Sequence, residues 1–98
     1  MTREEVLDEA KNCVCGRREQ DYGSPESNFG LIADLWNDYL FHGLKFPPEQ
    51  AVRLKITAKD VAMMMALLKI ARIKNGGGTG DSFVDLAGYA ACGGELKG

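Results

Sequence analysis

The stretch that most limits the fold is Val61 to Leu68, which reads VAMMMALL and is apolar at every position. It is far too short to cross a bilayer, which takes about 20 helical residues. A helix without a polar side belongs inside a bundle, wrapped by other helices. Thr57 supplies a capping hydroxyl ahead of it. The run therefore predicts the central helix, and the core, of a small all-α domain.

Three other segments have helical periodicity. Thr2 followed by Glu5 has the spacing of a capping box, and Val6, Ala10 and Val14 recur every fourth residue until Gly16, which predicts a helix over residues 3–15. Ser24-Pro25 places a hydroxyl cap before a first-turn proline. Phe29, Ile32, Ala33, Trp36, Tyr39 and Leu40 then form an apolar stripe, with Asp34, Asn37 and Asp38 opposite, in a helix ending near Gly43. Gly43 to Ile56 contains Pro47-Pro48 and reads as a crossover loop with a short helical turn over Glu49 to Leu54. Asn75 to Gly80 breaks the central helix, and Asp81 or Thr79 caps a fourth helix with Phe83, Leu86, Ala87 and Ala90 inside. No alternating strand and no repeat is visible. The expected fold is a single helical domain over residues 1–98, all-α and four-helix-bundle-like.

A chain of 98 residues buries a modest share of its surface. The fourth helix is rich in small residues, Ala87, Gly88, Ala90, Ala91, Gly93 and Gly94, which let another helix approach closely. Together these predict a homo-oligomer. A net charge of −2, a pI near 5.3 and scattered basic residues give little support for binding nucleic acid. Membrane association is not expected either. Cys13, Cys15 and Cys92 cannot all pair within one chain and no secretory segment precedes them, which fits a reducing cytoplasm. A zinc site would need all three thiolates and His42, and C-x-C is not the usual chelating spacing. Cysteine catalysis lacks an adjacent base, because His42 lies at a distant helix end.

Chemistry concentrates around "KIARIKNGGGTGDSFVD". Lys69 and Arg72, at i and i+3, share a face near the end of the central helix. They can complement its dipole and pair with Asp81 and Asp85 as a structural ion cluster, or hold a phosphate. Asp81, Asp85 and Tyr89 fall on one stripe of the fourth helix, where two carboxylates one turn apart can share a Mg²⁺. The glycine loop between them lacks the Gly-Lys-Ser/Thr of a phosphate loop and reads as a hairpin connection. The segment "RREQDYGSPESNF" can fold over these helices, bringing Arg18 and Tyr22 toward Lys69, Arg72 and Asp85.

The ordered set Arg18, Tyr22-Gly23, Pro25, Asn28-Phe29, Asp60-Val61-Ala62, Lys69-Ile70-Ala71-Arg72 and Asp81-Ser82, Asp85, Ala87-Gly88-Tyr89 resembles a family of small helical proteins encoded by tailed bacteriophages and prophages. The resemblance covers residues 6–95. More remotely it is similar to the nucleotide-modification-associated phage domain and the MazG-type nucleoside triphosphate pyrophosphohydrolases. That likeness implies Mg²⁺ held by carboxylates on facing helices. The MazG-type motif EExxE, followed by ExxD on the next core helices, is represented in this central helix by Asp60 alone, with an EExxD echo at Glu4, Glu5 and Asp8.

The leading expectation is a phage-type protein of the bacterial host cytoplasm that binds a nucleotide-like ligand without a cofactor. Arg18, Lys69 and Arg72 would contact phosphate, and Tyr22 or Tyr89 base or sugar, with Asp85 in the same pocket. One use would be sequestering a bacterial immune-signalling nucleotide, an anti-defence role. Alternatives are a Mg²⁺-dependent pyrophosphohydrolase using Asp81 and Asp85, and a ligand-free interaction module.

Overall fold

Five α-helices, and no strand, make up the described residues of the computed structural model, which are 1–17, 20, 23–77 and 80–97. Helix α1 spans Arg3–Asn12, α2 Pro25–Phe41, α3 Pro48–Leu54, α4 Ala58–Arg72 and α5 Gly80–Glu95. The chain is all-α, as the periodicity predicts.

The capping residues set the boundaries. At α1 the Glu5 amide donates to Thr2 Oγ1 at 3.1 Å and the Thr2 amide donates to Glu5 Oε1 at 3.3 Å, closing a reciprocal box. The Thr2 hydroxyl and the Thr2 amide hold the Glu5 carboxyl below its usual value of 4.5. Ser24 caps α2, its Oγ accepting from the Ser27 amide at 3.2 Å, with Pro25 in the first turn. Thr57 and Asp60 form a second box at α4, with bonds of 3.2 Å and 2.9 Å. The α-helical part of the first helix is shorter than the 3–15 expected: beyond Asn12 it widens into a π-helical segment, Cys13–Arg17. There Val14 packs on α5 so closely that a Cβ on Gly88 would lie 3.0 Å from its Cγ1.

The crossover after α2 is better ordered than its two prolines suggest. Gly43 turns the chain at φ +78°, and the rings of Phe41 and Phe46 meet edge to face on either side of that turn, 5.8 Å apart. The expected helical turn is the seven-residue α3. Asn37, expected on the solvent face, is half-buried. Its amide clamps the crossover's end, donating to the Ile56 carbonyl and accepting from the Ile56 amide, both at 2.8 Å.

Packing follows the order α2, α4, α5, α1, with α4 against both α2 and α5, and α1 chiefly on α5. This is an open array rather than a closed four-helix bundle, and it is thin, 49 × 31 × 19 Å. The core is small. Phe29 of α2, Val61, Ala62 and Ala66 of α4, and Tyr89 and Cys92 of α5 are its buried centre. The expectation that the VAMMMALL run is buried on all sides fails for half of it: Met63, Met64, Leu67 and Leu68 are exposed. One side of α4 meets α2 and α5, and the other is largely open among the described residues.

Candidate functional site

The residues singled out by the sequence divide into three groups. Lys69 in the last turn of α4 and Asp85 one turn into α5 come together, Nζ to Oδ2 at 2.9 Å. The Lys69 side chain is 16% exposed and that of Asp85 38%. A mostly covered lysine side chain is therefore neutralised by the carboxylate of the neighbouring helix, and the two charges satisfy each other. Arg72 and Asp81 are exposed, and neither forms an ion pair among the described residues. Arg18 and Tyr22 lie outside the described residues.

Tyr89 goes elsewhere. It shares a helix stripe with Asp81 and Asp85, yet its ring is 6% exposed and packs on Phe29, with centroids 6.1 Å apart and planes inclined by 36°. It is a core residue between α2 and α5. The connection from α4 to α5 continues as a π-helical segment, Ile73–Gly77, interrupted at Gly76, whose φ is +83°. Helix α5 begins at Gly80, so Asp81 is a first-turn residue rather than its cap, placed where a carboxylate complements the helix dipole. Thr79, the other cap expected, lies outside the described residues.

Metal chemistry finds a poor donor set. No group of three or more His, Cys, Asp and Glu side chains gathers among the described residues. Asp85 already gives an oxygen to Lys69, and Asp60, the acid of the central helix that echoes the MazG pattern, closes the α4 capping box. Among the described residues the two carboxylates gather no further acidic ligand for a Mg²⁺. Cys92 is buried, Cys13 half-buried and Cys15 exposed, and none forms a disulfide.

Three open grooves lie away from the charged corner. One of about 760 Å³ runs between α1 and α5 and is lined by Val6, Leu7, Phe83 and Ala87, with Met1 and Arg3 at one end. A second, about 500 Å³, is framed by Leu35, Trp36, Tyr39 and Leu40 of α2 and Met64 of α4. A third, also about 500 Å³, lies between α2 and the crossover, where Asp34, Asp38 and Lys55 surround Phe41 and Phe46. None of the three is lined by Lys69, Arg72, Asp81 or Asp85. Sequence reasoning missed Asn37 and the outer face of α2 and α4. The signal for the latter was present in the excess of apolar residues over what a small core can hold.

Comparison with known proteins places the chain among phage proteins. Residues 5–97 match the family described as a domain of unknown function, DUF6378. The Gene 55 protein of Mycobacterium phage D29 is 42% identical over 89 residues, covering 91% of this chain and 51% of that protein. The Gene 55 protein of Mycobacterium phage L5 is 44% identical over 85 residues, covering 87% of this chain and 47% of that protein. The chain thus spans about half the length of these relatives. No solved structure matches it. No helix among the described residues is long and apolar enough to cross a membrane.

Proposed function

We propose, for a chain that belongs to the DUF6378 family of phage proteins, that it works as a helical interaction module, burying its outer apolar faces against another polypeptide. One observation carries this reading. The chain exposes 7130 Å², whereas a compact monomer of its 10.7 kDa exposes about 5,500 Å². The radius of gyration agrees, at 15.2 Å against about 13 Å for a compact chain of this length. The excess of roughly 1,600 Å² goes with an open array whose exposed side chains include Leu35, Tyr39 and Leu67, and contiguous exposed apolar surface on soluble proteins marks interaction sites. In this reading Lys69 and Asp85 are structural, tying α4 to α5.

The test pairs a thermal-shift panel of nucleotides and cyclic oligonucleotides, with and without Mg²⁺, with the double variant Lys69→Met, Arg72→Leu. The module reading expects a flat panel, and a double variant altered in folding or assembly. A ligand-dependent rise in Tm that disappears in a double variant with an intact fold contradicts it.

A second reading is favoured by one specific feature. Arg72 is exposed and without an ion pair among the described residues, one turn beyond Lys69. It is the cation of the corner left available to a phosphate-bearing, nucleotide-like ligand, and an anti-defence role would follow from sequestering one. A concentration-dependent Tm rise that Arg72→Leu alone abolishes supports this reading, and a flat panel counts against it. Pyrophosphohydrolysis would require Asp85 to leave Lys69 and further acidic ligands to assemble around a Mg²⁺.

A further inference from the structure

We infer that the outer face of α2 and α4 is a self-complementary dimer surface, occupied by the same face of a second copy of this chain. This rests on the interaction reading above and names the partner.

Leu31, Leu35 and Tyr39 recur at i, i+4 and i+8 along α2, and are 59%, 57% and 89% exposed. Met64 and Leu67 continue the surface on α4, one turn apart, and are 43% and 64% exposed. The groove between the two helices takes in Leu35 and Tyr39 of the first row and Met64 of the second, and no charged side chain lines it. The neighbouring groove, by contrast, carries Asp34, Asp38 and Lys55.

Three considerations select a second copy as the occupant. The first is area. A standard interface takes about 800 Å² from each partner, which the roughly 1,600 Å² by which this chain exceeds a compact monomer can accommodate with its other faces still open. The second is charge. The chain carries a net charge of −2, and a charge-free seam lets two like-charged copies meet without burying an unpaired ion. The third is geometry. Two adjacent helices facing the same two across a two-fold axis complete a four-helix bundle, the closed arrangement that the open array lacks within one chain. VAMMMALL would then be covered on the side that α2 and α5 leave bare.

Sedimentation of the full chain over a wide concentration series tests this, with fluorescence of Trp36, the single tryptophan, which lines the groove. The expected species has about twice the 10.7 kDa chain mass, with Trp36 emission shifting to the blue as it forms. Tyr39→Glu and Leu67→Glu should each weaken association by at least about 30-fold, as substitution at a buried hot spot does. Tyr39 is so exposed in the single chain that its replacement leaves the monomer fold unaffected, which circular dichroism verifies. Val52→Glu, on exposed α3, should leave the dimer intact. An oligomer that survives both variants but dissociates with Phe83→Glu would overturn the face assigned here and leave the module reading standing. A monomer at every concentration that still binds a hydrophobic dye would overturn the second copy as partner and leave that reading standing. A monomer that binds no dye would overturn both.

Discussion

The two sides of α4 present opposite solutions to the same sequence problem. Toward α2 and α5, Val61, Ala62 and Ala66 are buried against Phe29, Tyr89 and Cys92, and the far end is closed by the Lys69–Asp85 pair. Toward solvent, Met64 and Leu67 are exposed, and Met63, also exposed, lays its thioether end against Gly93 of α5. The helix is equally apolar on both sides, so hydrophobicity alone does not say which side is core. Size does in part: the fully buried positions of α4 are alanines and one valine, which let three helices approach closely, with Met65 packed at their edge, while most of the long side chains are exposed. Small residues mark the tightest contact within the chain, and large flexible ones mark the exposed side.

Breaking the inner side should have the largest effect. Phe29→Ala removes the ring that packs on Tyr89 and is expected to cost about 3–5 kcal/mol, enough to unfold a chain of this size, whereas Leu67→Ser should change monomer stability by no more than about 0.5 kcal/mol. Urea denaturation of the two variants, made in a monomeric background such as Tyr39→Glu, measures the contrast. Similar losses for both would mean that the outer face is already packed.

Asn37 comes next. Asn37→Ala leaves the Ile56 amide and carbonyl without their partner and is expected to cost about 2 kcal/mol, with faster hydrogen exchange confined to residues 43–57. Exchange unchanged there would show that the crossover is held by Phe41 and Phe46 instead.

Asp85→Ala strands the mostly covered Lys69 side chain without its counter-charge, at about 1 kcal/mol. Lys69→Met in the same background should recover most of that loss, since it removes the unpaired charge. Lack of recovery would indicate that Lys69 has a use other than pairing with Asp85.

The glycines of α5 give a smaller and opposite effect. A Cβ on Gly94 would meet nothing within 4 Å, so Gly94→Ala should raise stability by about 0.5–1 kcal/mol through helix propensity. Gly88→Ala should gain less or lose, because its Cβ would press on Val14 at 3.0 Å. Thermal melts of the pair decide between close packing and mere tolerance as the reason for each glycine.

The pH dependence of α1 is smaller still. Glu5 has a folded pKa below its unfolded value, so its contribution is present above the unfolded pKa and is lost as pH falls through the folded one. Acid should therefore loosen the first turn of α1 before the rest of the chain. Exchange at residues 5–7 that is unchanged on the acid side of the glutamate range would remove the capping box as a source of stability.

Local chemistry made most of the helices legible in the sequence. Both Thr boxes, the Ser24-Pro25 start and the break after Arg72 are signalled by residues within four positions of the event. Two things were not legible, for one reason. Whether Asn37 points to solvent and whether Leu67 is core depend on what lies across space, and a period of 3.6 reports a helix's faces without saying which face is covered. The corner was half legible: spacing put Lys69 near Asp85, but the same spacing put Tyr89 on their stripe, and only the ring contact with Phe29 of α2 shows it turning inward. The expected sites at Arg18 and Tyr22 fall outside the described residues.

The central claim is that the outer face of α2 and α4 is covered by its own copy. Sedimentation equilibrium of the unmodified chain beside Tyr39→Glu tests it most directly. The account expects twice the 10.7 kDa mass for the former and the single-chain mass for a folded variant. The same mass for both would contradict it.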